Sequence, residues 1–249
     1  MTIPAASPKK GYACGQVAGA HAPTVLNALR AQWYYNWGTT PTAGVSAGIP
    51  FFPMAFSKTV VASPTMMAQI ATSAQHSSNH IVLTFNEPDI KPQANMTVPQ
   101  ALASWTPLNK MGYTLGSPAT AGNPTSSTGW LSTFIQGKPA GGVHFICVHW
   151  YGPPNPSALL NIVDTLWKKY NKHIWITEFA VANWTQSNAY TVSQVAGFMS
   201  NILPALNARS YVDRYAWKDR VASDCNMGSS CLVNPDGSLT QLGLLYSSN

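Results

Sequence analysis

Short apolar runs alternate with Ala-rich or amphipathic stretches along the chain, at a spacing of about 30 residues. The runs cover residues 11–15, 32–37, 50–56, 80–86, 113–117, 143–150, 173–179 and 212–217. The helix-like stretches cover 24–31, 64–75, 98–111, 127–137, 156–171, 192–207 and 239–247. Several runs, Ile81-Val82-Leu83 and Ile174-Trp175-Ile176 among them, are apolar at consecutive positions. Strands buried on both faces of a parallel sheet have that pattern. Eight strands with intervening helices in 249 residues predict an α/β fold, a single (β/α)8 barrel forming one domain over residues 1–249. An open doubly wound sheet is the alternative, but no glycine-rich phosphate turn follows the first strand. The second unit is the weakest, since residues 38–48 are rich in Gly, Pro and Thr and predict no helix. Residues 117–127 (SPATAGNPTSS) read as a long loop after the fifth strand rather than as a hinge.

Only 9% of the residues are charged, against about 25% in ordinary soluble proteins. With 45% hydrophobic residues and a mean hydropathy of −0.03 this is a folding chain, not a disordered one. No run approaches the roughly 18 apolar residues of a membrane span, so no membrane partner is expected. The net charge of +6 comes from a shortage of acids. The basic residues are scattered, with Lys9-Lys10 and Lys168-Lys169 the longest clusters, so no nucleic-acid partner is expected either. A monomer is expected, and a surface made of Ser, Thr, Asn and Gln suits an exported protein acting on an uncharged substrate. The sequons at Asn95 and Asn183 point the same way. Residues 1–4 carry no apolar leader; for a secreted protein the leader has been removed and Met1 is an introduced start. Of the four cysteines, Cys225 and Cys231 bracket a short Gly/Ser loop and predict a local disulfide. Cys14 and Cys147 lie in apolar segments and read as buried free thiols.

Eight residues are acidic, and only Glu87 and Glu178 are glutamates. Each stands at the carboxyl end of a strong strand, the fourth and the seventh, where barrel enzymes keep their active sites. A carboxylate there is costly unless it is hydrogen-bonded, paired or used. Two such groups are what hydrolysis of a glycosidic bond requires.

The strings Tyr34-Tyr35-Asn36-Trp37-Gly38, Asn86-Glu87-Pro88-Asp89, His149-Trp150-Tyr151-Gly152 and Trp175-Ile176-Thr177-Glu178-Phe179 occur in barrel order. They resemble glycoside hydrolase family 128 of clan A, mostly fungal and bacterial β-1,3-glucanases. The resemblance runs from about Tyr12 to the C-terminus. It implies a retaining endo-β-1,3-glucanase with Glu87 as acid/base and Glu178 as nucleophile, about 5 Å apart. Laminarin or another β-1,3-glucan, such as fungal cell wall, would be the substrate, with no cofactor and no metal. Asn86 resembles the donor to the sugar 2-hydroxyl, Tyr151 the tyrosine on the nucleophile, and Trp217 the aromatic floor of the cleaving subsite. His149 shares the face of Tyr151, and Trp37 and Trp184 follow strand ends as further sugar-stacking candidates. Many clan members have an arginine near the end of strand two; Asn36 stands there, so Asn36 and Tyr151 are expected to support the nucleophile. Strict alternation sends Asn86 and Glu87 to opposite faces, so a bulge or kink is required between them.

Three alternatives remain: an oligosaccharide-binding barrel with little turnover, an exo-β-1,3-glucanase, and the same chemistry on β-mannan, β-1,6-glucan or β-1,4-glucan. Gly44-Val45-Ser46-Ala47-Gly48 matches a nucleophile elbow only on paper, because a loop precedes Ser46 and a strand follows it. No zinc, P-loop or EF-hand pattern occurs.

Overall fold

A computed structural model describes residues 5–15, 19–75 and 80–249; residues 1–4, on which the reading of a removed leader rests, lie outside it. Each expected strand forms. They are β1 (Lys10–Ala13), β2 (Tyr34–Tyr35), β3 (Met54–Ala55), β4 (Ile81–Asn86), β5 (Thr114–Ala119), β6 (Ile146–Gly152), β7 (Ile174–Val181) and β8 (Val212–Lys218). The helices are α1 (Ala22–Ala28), α2 (Lys58–Ala62), α3 (Pro64–Gln75), α4 (Val98–Asn109), α5 (Trp130–Gln136), α6 (Pro156–Tyr170), α7 (Val192–Asn207) and α8 (Gln241–Ser248). The short α2 was not expected. Its start is fixed by Ser57, whose side chain accepts from the Thr59 N–H.

All strand pairs are parallel. The ladders form two sheets, ordered β2-β1-β8-β7-β6 and β3-β4-β5. Single parallel bridges stand at both seams, Tyr34 to Phe51 and Gly116 to Phe145. The continuous ladder expected of a closed barrel is therefore interrupted there. β2 and β3 are two residues each because the turn-rich 38–50 segment intervenes, and no helix forms in it. Pairing of β1 with β8 unites the two ends of the chain, which a doubly wound sheet does not do.

β4 and β7 are buried at every position, as their continuous apolar runs predict. The helices cover them with apolar stripes; α7 buries Val195, Phe198, Met199, Ile202, Leu203 and Leu206. α4 and α7 open with capping boxes, Thr97 with Gln100 and Thr191 with Gln194, each cap worth about 1 kcal/mol. β1 approaches its neighbours so closely that a Cβ on Gly11 would collide with the Trp33 indole, so only glycine fits.

The expected Cys225–Cys231 disulfide does not form; all four cysteines are free. Cys225 is exposed, while the Cys231 thiol turns inward and donates to the Val233 carbonyl at 2.9 Å. The 3-10 turn Gly228–Ser230 leads the two apart. Cys14 and Cys147 are buried free thiols as expected, and burial pushes Cys14 up to about 12.

Candidate active site

The C-terminal ends of the strands open onto a cleft of about 620 Å³ lined by Trp37, Asn86, Glu87, Tyr151, Glu178, Trp184, Lys218 and Arg220, with Phe56, Ile90, Gln93 and Ala121. Six of the nine residues singled out for catalysis or sugar binding line it. His149 lies beneath, between the glutamates.

Both Asn86 and Glu87 reach the cleft because the strand does kink. The β4–β5 register shifts between Thr84 and Asn86, and Glu87 takes a left-handed conformation with φ +42°. Such a conformation costs a non-glycine residue about 1–3 kcal/mol and is held only by its surroundings. Here the Glu87 N–H donates to the Ala119 carbonyl (2.8 Å) and the Asn86 N–H to the Phe56 carbonyl (3.0 Å). Downstream, the Asp89 carboxylate accepts from the Ala121 and Gly122 N–H groups at 2.9 and 2.8 Å, tying the loop after β4 to the loop after β5. Asn86 Nδ2 donates to Gln93 Oε1 at 3.1 Å, while Asn86 Oδ1 is buried without a partner.

Glu178, on β7, is 4% exposed and almost saturated with neutral donors. Its Oε1 accepts from Tyr35 Oη at 3.1 Å and Trp37 Nε1 at 2.8 Å, and its Oε2 accepts from Tyr151 Oη. β6 brings His149 opposite it. His149 Nδ1 is 3.0 Å from Glu87 Oε1, and Nε2 is 3.3 Å from Glu178 Oε1 without the alignment of a hydrogen bond. One oxygen of each glutamate and a His149 nitrogen lie within 4.8 Å of one another.

Burial alone would raise the Glu178 carboxyl, but His149, the Lys218 ammonium and the Tyr151 and Trp37 hydrogen bonds together hold it below the usual carboxylate value. Burial pulls His149 down, and the Glu178 charge with the Glu87 contact prevails, leaving it raised. Burial and the Glu178 charge push Tyr35 and Tyr151 well above the phenol range, so both remain donors.

Among the described residues, Glu87, His149 and Glu178 are the one group close enough to share a cation. Glu178 Oε1 already takes two donors and the Lys218 ammonium lines the same cleft, so this donor set is matched to a proton rather than to a metal. Oε2, which takes Tyr151 alone, keeps a free lone pair.

Two expected roles are corrected. Asn36 does not touch Glu178. Its Nδ2 donates to Thr40 O and Thr42 Oγ1, both at 3.1 Å, and its Oδ1 accepts from the Gly38 N–H at 3.0 Å. Asn36 thus shapes the turn in which Trp37, at φ +58°, swings into the cleft. Trp217 is fully buried, not a subsite floor. Strand alternation sends its ring outward against Phe179, Phe198 and Tyr246, and its Nε1 donates to Ser230 O at 2.8 Å. Trp184, by contrast, is half exposed and stands edge-on to Tyr151 at 5.6 Å.

Sequence reasoning missed Tyr35, Lys218 and Gln93. Alternation from Trp217 could have flagged Lys218, the polar residue ending β8. The decoy Ser46 lies in the β2–β3 loop, where its Oγ accepts from the Gly48 N–H at 3.2 Å.

Comparison with known proteins agrees with this geometry. A family model described as glycosyl hydrolase catalytic core matches residues 15–246. Alkali-sensitive linkage protein 1 of Schizosaccharomyces pombe is 31% identical over 227 residues, covering 86% of this chain and 39% of that protein, so the chain spans about two fifths of that relative's length. A subgroup I endo-β-1,3-glucanase of glycoside hydrolase family 128 from Amycolatopsis mediterranei, solved with laminaritriose, superposes with a TM-score of 0.85 at 30% identity, covering 96% of this chain and 98% of that one. A subgroup III curdlan-specific exo-β-1,3-glucanase from Blastomyces gilchristii, solved with glucose, gives 0.76 at 29% identity, covering 98% and 99%.

Proposed function

Since the chain belongs to the glycosyl hydrolase catalytic core family, and within it to glycoside hydrolase family 128, we propose that it is a retaining endo-β-1,3-glucanase. The observation that carries this is the placement of its only two glutamates, Glu87 directly after β4 and Glu178 on β7, with carboxyl oxygens within 4.8 Å across His149 in an aromatic-lined cleft. A gap near 5 Å suits a covalent glycosyl-enzyme; inverting enzymes leave about 6.5–9.5 Å for a water.

In the first step Glu178 Oε2 bonds to the anomeric carbon as the glycosidic C–O bond breaks. The proton of Glu87 passes to the leaving oxygen. In the second step the Glu87 carboxylate takes a proton from water, whose oxygen replaces Glu178 at the anomeric carbon. Tyr35 and Trp37 hold Oε1 fixed, leaving Oε2 to react. His149 keeps the two carboxyls in register. Trp37, Tyr151 and Trp184 offer rings to the apolar faces of the sugars, and Asn86 an acceptor to a sugar hydroxyl.

Endo action is supported by the higher TM-score with the endo-acting than with the exo-acting relative. The eight-strand parallel order, with bridges at both seams, supports one (β/α)8 barrel domain. The low charge and the sequons support secretion.

Laminarin digested by wild type is expected to yield a ladder of short β-1,3-oligosaccharides, and Glu87→Gln to reduce that yield about a hundred-fold. Release of glucose alone would replace endo by exo action. No products, with a tryptophan-fluorescence shift on adding laminari-oligosaccharides, would replace the enzyme by a binding protein.

A further inference from the structure

The three groups that donate directly to Glu178 in the cleft wall, Tyr35, Trp37 and Tyr151, are all neutral. The fixed positive charge comes from elsewhere. Lys218 ends β8, lines the cleft, and has its Nζ 3.9 Å from the centroid of the Trp37 ring, whose Nε1–H donates to Glu178. Its hydrogen bond to the Asp219 carbonyl is long, at 3.3 Å. Lys218 forms no ion pair among the described residues. Arg220, the other cation in the wall, is engaged with Asp224 at 3.7 Å and its side chain is 40% exposed.

Resting on the reading of Glu178 as nucleophile, we propose that Lys218 is a positioning residue: seated on Trp37, its ammonium adds to His149 the charge that keeps Glu178 ionised while leaving a lone pair of Oε2 free. A cation bonded directly to the carboxylate would occupy the oxygen that must attack. A cation stacked on the ring acts through the field and polarises the Trp37 N–H without taking a lone pair. The face of Trp37 also holds the ammonium in place, because a buried amine without that attraction would retreat to solvent.

The groups facing Glu178 are Tyr35 from β2, Trp37 from the following turn, Glu87 beyond β4, His149 and Tyr151 from β6, and Lys218 from β8. Asp219, Arg220 and Cys14 adjoin Lys218. Of these, His149 and Lys218 favour the ionised carboxylate by charge. Burial weighs on Lys218 itself, lowering its amine, and the Glu178 charge opposes that.

The test is the pH dependence of laminarin kcat/KM for wild type, Lys218→Met, Lys218→Arg and the exposed control Lys168→Gln. Without the cation, protonation of Glu178 becomes easier and its value rises. The acid limb of Lys218→Met should therefore move up by about one pH unit, with kcat/KM falling about ten-fold on that limb. KM should stay unchanged on the plateau. Lys218→Arg should return the limb towards wild type, and Lys168→Gln should not move it.

A Lys218→Met limb coincident with wild type, or a loss confined to KM, overturns the proposal and makes Lys218 a sugar contact. A second readout needs no turnover: tryptophan fluorescence of the resting protein titrated with acid. Its transition should be absent in Glu178→Gln and shifted upward in Lys218→Met; an unshifted transition overturns the proposal. Undiminished glucan cleavage by Glu178→Gln would instead remove the nucleophile assignment.

Discussion

Glu178→Ala is expected to lower laminarin hydrolysis by at least about ten-thousand-fold, or roughly 5.5 kcal/mol of transition-state stabilisation. No other carboxylate can take over. In the proposed mechanism Glu87 is committed to proton transfer, and the remaining acids of the chain are aspartates outside the cleft wall. The substitution also strands the Tyr35, Trp37 and Tyr151 donors, which lose their shared acceptor. Each stranded donor costs about 1–3 kcal/mol of stability. Glu178→Gln is the companion variant, because it keeps the volume and one acceptor oxygen, so inactivity there cannot be attributed to unfolding. The space opened in Glu178→Ala should admit azide, which would attack the anomeric carbon in place of the carboxylate and restore cleavage of an activated aryl glucoside as the glycosyl azide. Turnover of both variants within ten-fold of wild type would remove the nucleophile assignment.

Trp217→Ala should act on stability and not on sugar binding. Truncating a buried tryptophan costs about 3–5 kcal/mol. Trp217 is wholly enclosed, packed on Phe179, Phe198 and Tyr246, and its indole also satisfies the Ser230 carbonyl that precedes Cys231. For a chain of this size the melting temperature should fall by about 6–20 °C. The affinity of the folded protein for laminari-oligosaccharides should be unchanged. Trp184→Ala should do the opposite, weakening affinity about ten-fold with little change in melting temperature, since its ring stands exposed at the rim. A Trp217→Ala protein that melts like wild type but binds sugar poorly would return Trp217 to the subsite.

The contrast between these two tryptophans marks where sequence reasoning ran out. Continuous apolar runs such as Ile81-Val82-Leu83 identified β4 and β7, because a strand buried on both faces has no polar side to show. Scarcity did the rest: a chain that places its only two glutamates at strand ends leaves none for its helix surfaces. The backbone kink at Glu87 followed from alternation once resemblance had placed Asn86 and Glu87 in one site. What failed was the choice of face wherever a strand was short or ended irregularly. β2 has two residues, so its pattern could not separate Tyr35 and Trp37, which reach Glu178, from Asn36, which closes a turn. Along β8 one position of register decides between Trp217 and Lys218, and resemblance favoured the aromatic. The Cys225–Cys231 pairing failed for a related reason: spacing in sequence says nothing of which way two thiols turn across a 3-10 turn.

The proposed double displacement across the gap between Glu87 and Glu178 would leave a stereochemical signature that can be read directly. The anomeric proton signals of laminarihexaose should be followed by NMR during the first minutes of cleavage by wild type, before mutarotation equilibrates the new reducing ends. Two inversions at one carbon predict that the β-anomer appears first. Initial release of the α-anomer would mean that water attacks directly, contradicting Glu178 as a nucleophile and requiring the two carboxyls to work across a wider gap than 4.8 Å.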